Sequence, residues 1–125
     1  MKKIVVFALV LGGALFSQNS GVQRTVVYRA DVSCPGREAV IARAEIAPGA
    51  ETGWHRHPGE EISYIIEGEA DILVDGQAPR HVKAGDGLVI PNGARHNARN
   101  TGKVPFKLSA VYLIEKGKPV ATPAP

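Results

Sequence analysis

Seven turn signals divide this chain at short intervals: CPGR, APGA, HPGE, DGQAP, AGDG, PNGA and NTGKVP. Between them lie TVVYRA, EAVIARAEI, EISYIIEG, ADILVD, GLVIP, RHNARN and FKLSAVYLIE, each of about strand length. Nowhere does an apolar repeat of helical period persist for three turns. The chain therefore has to fold as short antiparallel strands. Asp75-Gly76 after ADILV adds a two-residue hairpin signal, because a type I′ turn needs positive φ at both central positions. At 125 residues the sequence supplies one core, so the expectation is a single all-β domain, a sandwich or a closed barrel.

The first segment stands apart from that rhythm. MKKIVVFALVLGGALFSQ carries two lysines and then an unbroken small or apolar run from Ile4 to Phe16. That is too short for a bilayer-spanning helix of roughly 20 residues but matches an export signal. We assign residues 1–20 to a signal peptide, with cleavage between Ser17 and Gly21, which makes the chain an exported, periplasmic or secreted bacterial protein with no membrane association once the leader is cut. Residues 25–116 form the domain, and the Pro-rich 117–125 is expected to be a mobile or loosely laid tail. Losing Lys2 and Lys3 lowers the basic count from 15 to 13 against 12 acidic residues, so the pI of 9.2 is no nucleic-acid signal. No basic stripe interleaved with aromatics occurs, and nucleic acid is not an expected partner. Cys34 is the sole cysteine and cannot form an internal disulfide; it reads as a tolerated thiol in a turn.

Chemistry concentrates in HRHPGEEISYIIEG, residues 55–68. In extended backbone, side chains two apart share a face, so His55 and His57 point together and Glu61 joins them unless the Pro58-Gly59 turn shifts parity. In that event Glu60 replaces it. Beyond the turn, Glu61, Ser63 and Ile65 alternate with Ile62, Tyr64 and Ile66, a second face that is wholly apolar. Both faces are expected to be buried. One is the barrel interior; the other needs cover from the N-terminal strands or from a second subunit, hence an expected homodimer.

Read from Gly49, the first segment is G-x5-H-x-H-x3-E-x6-G, through His55, His57, Glu61 and Gly68; read from Gly85, the second is G-x5-P-x-G-x2-H-x3-N, through Pro91, Gly93, His96 and Asn100. The pair resembles the two motifs of the cupin superfamily at every defining position, over residues 40 to 114. The length resembles that of the small, single-domain, quercetin-dioxygenase-like cupins. The resemblance implies a jelly-roll β-barrel of six to eight strands with one internal metal site, and carries His55, His57, Glu61 and His96 over as its ligands. Three imidazoles and a carboxylate independently suit a divalent transition metal: Fe, Mn, Ni, Cu or Zn. Gly49 and Gly85 are read as turn residues before the ligand strands, Pro91 and Gly93 as the turn that delivers His96, and Asn100 as closing the turn after its strand.

The remaining candidates read as structural. His81 belongs to the surface, Trp54 to the barrel rim, Tyr64 and Phe106 to core or interface, and Arg56, Arg95 and Arg99 to solvated surface rather than substrate anchoring. Ser63, Ile65, Ile72, Val74, Ile90 and Leu108 are expected to line the pocket. A metal-dependent dioxygenase acting on a small enolisable, catechol-like or flavonol-like substrate is the favoured function, with Glu61 as ligand or as the base that takes the substrate proton. Redox-neutral isomerase, decarboxylase or lyase chemistry is the alternative, and a non-catalytic metal- or ligand-binding barrel the third reading.

Overall fold

The structure, a computed structural model, describes residues 21–125. The expected leader, residues 1–20, lies outside the described residues. Among the described residues there are ten strands and no helix: β1 Val22–Asp31, β2 Arg37–Ile46, β3 His55–Arg56, β4 Gly59–Glu67, β5 Glu69–Val74, β6 Arg80–Lys83, β7 Gly87–Ile90, β8 His96–Arg99, β9 Phe106–Glu115 and β10 Thr122–Pro123. They form two antiparallel five-stranded sheets, in the orders β1-β2-β9-β4-β7 and β10-β3-β8-β5-β6. This is a jelly roll. Without the two-residue strands β3 and β10 the count is eight, the upper end of what the family resemblance implied.

Period-2 patterning builds the interior. Along β9, Phe106, Leu108, Ala110, Tyr112 and Ile114 are buried and the residues between them are not; β2 does the same with Glu38, Val40, Ala42, Ala44 and Ile46. The two strands pair in register from Arg37↔Glu115 to Ile46↔Phe106, so their inward residues form one continuous wall. Full burial of each large apolar side chain contributes roughly 1.5–3 kcal/mol. On the other flank of β9, Gly59 pairs with Ile114 so closely that a Cβ would stand 1.9 Å from the Leu113 carbonyl oxygen. Only glycine fits there, and it fixes the start of β4.

Four expectations need correction. The Asp75-Gly76 loop is not a two-residue hairpin: only Gly76 of the pair has positive φ, and Ile72 pairs with Arg80 rather than with Pro79. Pro79 has no N–H to give the ladder, so pairing resumes one residue later. The domain is wider than 25–116, since β1 begins at Val22 and β10 ends at Pro123. The tail is not loosely laid: β10 pairs with β3, Ala124 N–H donates to the Trp54 carbonyl at 2.9 Å, and Val120 is 2% exposed. An apolar side chain and free backbone donors within reach of the β3 edge outweigh the composition.

The last correction concerns the outer face of β4, which within one chain is not buried. Ile62, Tyr64 and Ile66 are 47%, 58% and 52% exposed. The N-terminal strand extends the sheet at the β2 edge instead of folding over it. As a result Tyr28, Ile41, Val111, Ile62 and Val89 are cross-strand partners in a single apolar row across all five strands.

Candidate metal centre

Three buried histidines meet at one end of the barrel. His55 on β3 is paired directly with His96 on β8, His57 follows β3 by one residue, and Glu61 enters from β4 of the facing sheet. The imidazole centroids lie 4.1 Å apart for His55 and His96 and 4.9 Å for each of the other two pairs. Their ligand-capable nitrogens all lie within 4.8 Å of one another. Gly59 keeps the parity of β4 unbroken, so Glu61, not Glu60, faces inward at 7% exposure. Glu61 Oε2 stands 3.1 Å from His57 Nε2 and 3.3 Å from His96 Nε2, and its Oε1 accepts from the Ser63 hydroxyl at 2.9 Å.

The backs of the three rings decide their tautomer. His55 Nδ1 donates to the Gly53 carbonyl at 2.7 Å, His57 Nδ1 to the Val120 carbonyl at 2.7 Å, and His96 Nδ1 to the Ala94 carbonyl at 2.8 Å. A carbonyl only accepts, so each Nδ1 carries the proton and each neutral ring turns its Nε2 lone pair inward. His96 is delivered in that pose by the Pro91–Ala94 turn, in which Gly93 has φ 70° and Ala94 N–H donates to the Pro91 carbonyl. His96 Nε2 is fully buried and has no hydrogen-bond partner. Lone pairs this close to a carboxylate oxygen need a cation between them, a proton or a metal.

Protons serve poorly. Burial, followed by the neighbouring His96 and partly offset by the Gly53 carbonyl, pushes His55 down to about 3. Burial raises Glu61, but the facing His57 and His96 rings outweigh it and hold the carboxyl well below the usual carboxylate range. An ionised carboxylate facing imidazole nitrogens is a mixed N/O donor set that could hold a divalent transition metal. The residues present fit one.

Comparison with known proteins agrees with that geometry. The sequence matches the Cupin domain family over residues 42–112, which takes in all four of these side chains. The chain is a cupin. Among solved structures, this cupin is similar to an uncharacterised conserved protein with a double-stranded β-helix domain from Klebsiella pneumoniae, at 27% identity and a TM-score of 0.70 over 86% of this chain and 88% of that one. It is also similar to the DMSP lyase DddQ from Ruegeria pomeroyi, at 29% identity and a TM-score of 0.60 over 69% of this chain and 43% of that one. An acireductone dioxygenase from Rhodopseudomonas palustris is 37% identical over 75 residues, 54% of this chain and 46% of that protein. The cupin spans about half the length of the curated relatives it matches first.

A cavity of about 30 Å³ opens beside the cluster, with room for two or three water-sized groups. His55, Glu61 and His96 line it, as do Ile72, Ile90 and Leu108 from the expected set; Ser63, Ile65 and Val74 do not. Three polar lining residues had escaped the sequence reading: Thr52, Tyr112 and Arg24. Tyr112 packs its ring 4.5 Å from that of His57 and pairs with Glu61 across β4 and β9; burial first, then the Glu61 charge, push its hydroxyl well above the usual range, against a lowering by Arg24. Tyr112 was recoverable as the only polar residue at the inward parity of β9. Arg24 enters from β1, whose expected span began one residue too late to contain it.

The other basic residues lie elsewhere. Arg56 donates to the Gly93 carbonyl, Arg99 pairs with Glu51, and Arg95 stacks 4.2 Å over the Trp54 ring while bonding Asp75 and the Ala124 carbonyl. Trp54 therefore packs on the rim as expected. His81 is exposed on β6 between Asp71 and Glu69, which raise its pKa by hydrogen bonding. Asn100 is fully buried, donating to the Ile46 and Val104 carbonyls and accepting from Gly102 N–H, so it ties the end of β2 to the loop after β8.

Proposed function

We propose that this cupin is a metal-dependent enzyme of dioxygenase-like type, with His55, His57, His96 and Glu61 holding a divalent transition metal. The observation that carries the reading is the convergence of three Nε2 lone pairs on one carboxylate, each ring locked from behind by a backbone carbonyl. The metal, when bound, supplies Lewis acidity to an oxygenated substrate. The chain's own residues then set geometry and proton flow. Glu61, ionised and steadied at Oε1 by Ser63, accepts the proton released as the substrate enolises. The enolate passes its electron pair to O₂, the oxidant drawn from solution. A cavity of about 30 Å³ walled by aliphatic side chains favours a small enolisable compound over a flavonol.

Similarity to the lyase DddQ supports a second reading, redox-neutral cleavage at the same centre. Elemental analysis of the exported protein, purified without added metal, and O₂-uptake assays with small diketones and 2-hydroxy acids separate the two. Near-stoichiometric iron, nickel or copper with O₂ consumed is the expected result. Zinc or manganese with anaerobic turnover transfers the assignment to the lyase class, and binding without turnover leaves a ligand-binding cupin.

The apolar row on the outer face supports the homodimer. It contains no charge, and a two-fold axis lying in the plane of that face sets apolar against apolar, so a second copy of this chain is the occupant we propose. Sedimentation of the mature protein is expected to give twice the protomer mass, and Ile62→Lys with Tyr64→Lys to give the protomer alone. A wild type that sediments as a monomer at micromolar concentration rejects this.

A further inference from the structure

Arg24 pairs with Ala44 across β1 and β2, shares its inward parity, and lines the cavity beside His55, Glu61 and His96. Its guanidinium carbon lies 5.7 Å from the centre of the Tyr112 ring. Its Nε is fully buried with no hydrogen-bond partner, its guanidinium donates a hydrogen bond to the Tyr112 hydroxyl, and among the described residues no carboxylate stands within ion-pair distance of it. Arg56, Arg95 and Arg99, by contrast, each have a carboxylate or a backbone carbonyl as partner.

A partly buried guanidinium with a neutral phenol as partner and an unsatisfied Nε is costly to keep, because it has given up water without gaining an anion. The charges around it increase that cost. The single charge of Glu61 is directed at His57 and His96 rather than at Arg24. A divalent metal leaves that cluster with a net positive charge of one, and Arg24 adds another. Apart from Thr52 and Tyr112, the remaining cavity wall is aliphatic. What completes the site is an anion small enough for about 30 Å³, with two oxygens to match a planar fork of N–H donors.

We propose that Arg24 is a specificity-determining residue that binds the carboxylate of a small 2-hydroxy or 2-keto acid in the barrel cavity. The proposal rests on the metal-site reading for the second anchoring point and names the substrate class of that same site. Arg24 orients the acid, and the opposite end, which bears the hydroxyl or carbonyl oxygen, faces Glu61 and the histidines. Neutral analogues of the same shape leave the guanidinium unsatisfied and bind less well.

Glycolate and glycolamide test this, being isosteric and differing in charge. Each is titrated into the cobalt-loaded mature chain, with binding read from the visible spectrum, for wild type, Arg24→Gln and Arg24→Lys; cobalt content is measured in each. In Arg24→Gln, glycolate is expected to weaken roughly 10- to 100-fold, the effect of losing a charge-assisted hydrogen-bonded pair, while glycolamide changes less than about threefold. Arg24→Lys falls between and covers the case in which the glutamine variant does not fold. Equal weakening of both ligands makes Arg24 structural and overturns the proposal, as does no change in either. The same titrations on metal-free protein, followed through the Ala44 methyl resonance, keep the two readings separate: a wild type that binds no cobalt rejects the metal site, while the glycolate-to-glycolamide ratio still decides Arg24.

Discussion

Replacing His55 and His57 together by alanine is expected to abolish metal binding and leave the barrel folded. The wild type should retain close to one equivalent of a divalent transition metal after purification, and the double variant less than about a tenth. Two of four donors go, and His96 with Glu61, 3.3 Å apart at nitrogen and oxygen, remain as a two-point site open to water. The loss should exceed the 10- to 100-fold typical when only an outer partner of a ligand is removed. Stability responds through linkage: a metal present at a thousand times its Kd contributes about 4 kcal/mol to the wild type and nothing to the variant. The metal-free proteins share the same far-ultraviolet spectrum, because the ladders β1-β2, β2-β9 and β4-β9 contain neither residue. Calorimetry with and without chelator measures the difference, and a double variant that keeps a full equivalent rejects the assignment.

The ligand cluster was legible because strands have a period of two. His55, His57 and Glu61 share parity through a Pro-Gly pair, and the one open point, whether Glu60 or Glu61 faces inward, was settled by the close approach of Gly59 to Leu113. No pattern in the sequence announces that contact. Arg24 was hidden for a different reason. β1 carries a bulge between Val26 and Tyr28, so inside and outside exchange partway along it, and parity read from TVVYRA does not extend back to residue 24. The outer face of β4 was legible as apolar, whereas its exposure depends on β1 pairing at the sheet edge, a choice of topology between distant segments. Composition misled at the C-terminus. PVATPAP looks like a free tail, yet the Val120 carbonyl lies opposite a histidine whose Nδ1 needs an acceptor.

That contact ties the tail to the candidate metal centre, and ending the chain after Lys116 is expected to cost about 10- to 100-fold in metal affinity. Without the Val120 carbonyl, 2.7 Å from Nδ1, the His57 ring is free to take the other tautomer, which puts a proton on Nε2 where the lone pair should be. The fold itself survives, since β10 contacts the sheets through two residue pairs with β3, and the lost burial of Val120 removes roughly 1–2 kcal/mol. A second variant separates the carbonyl from the strand. Ending after Ala121 keeps the Val120 carbonyl but removes β10 and the Ala124 contacts to Trp54 and Arg95, and should retain affinity to within about threefold. Competition against a chromogenic chelator reads both. If the two truncations weaken metal equally, β10 holds His57 in place by pinning β3; if neither does, the carbonyl is incidental to the site. The expected split, with a large loss only when Val120 is gone, would make one backbone oxygen 63 residues away in sequence the determinant of which His57 nitrogen faces the metal.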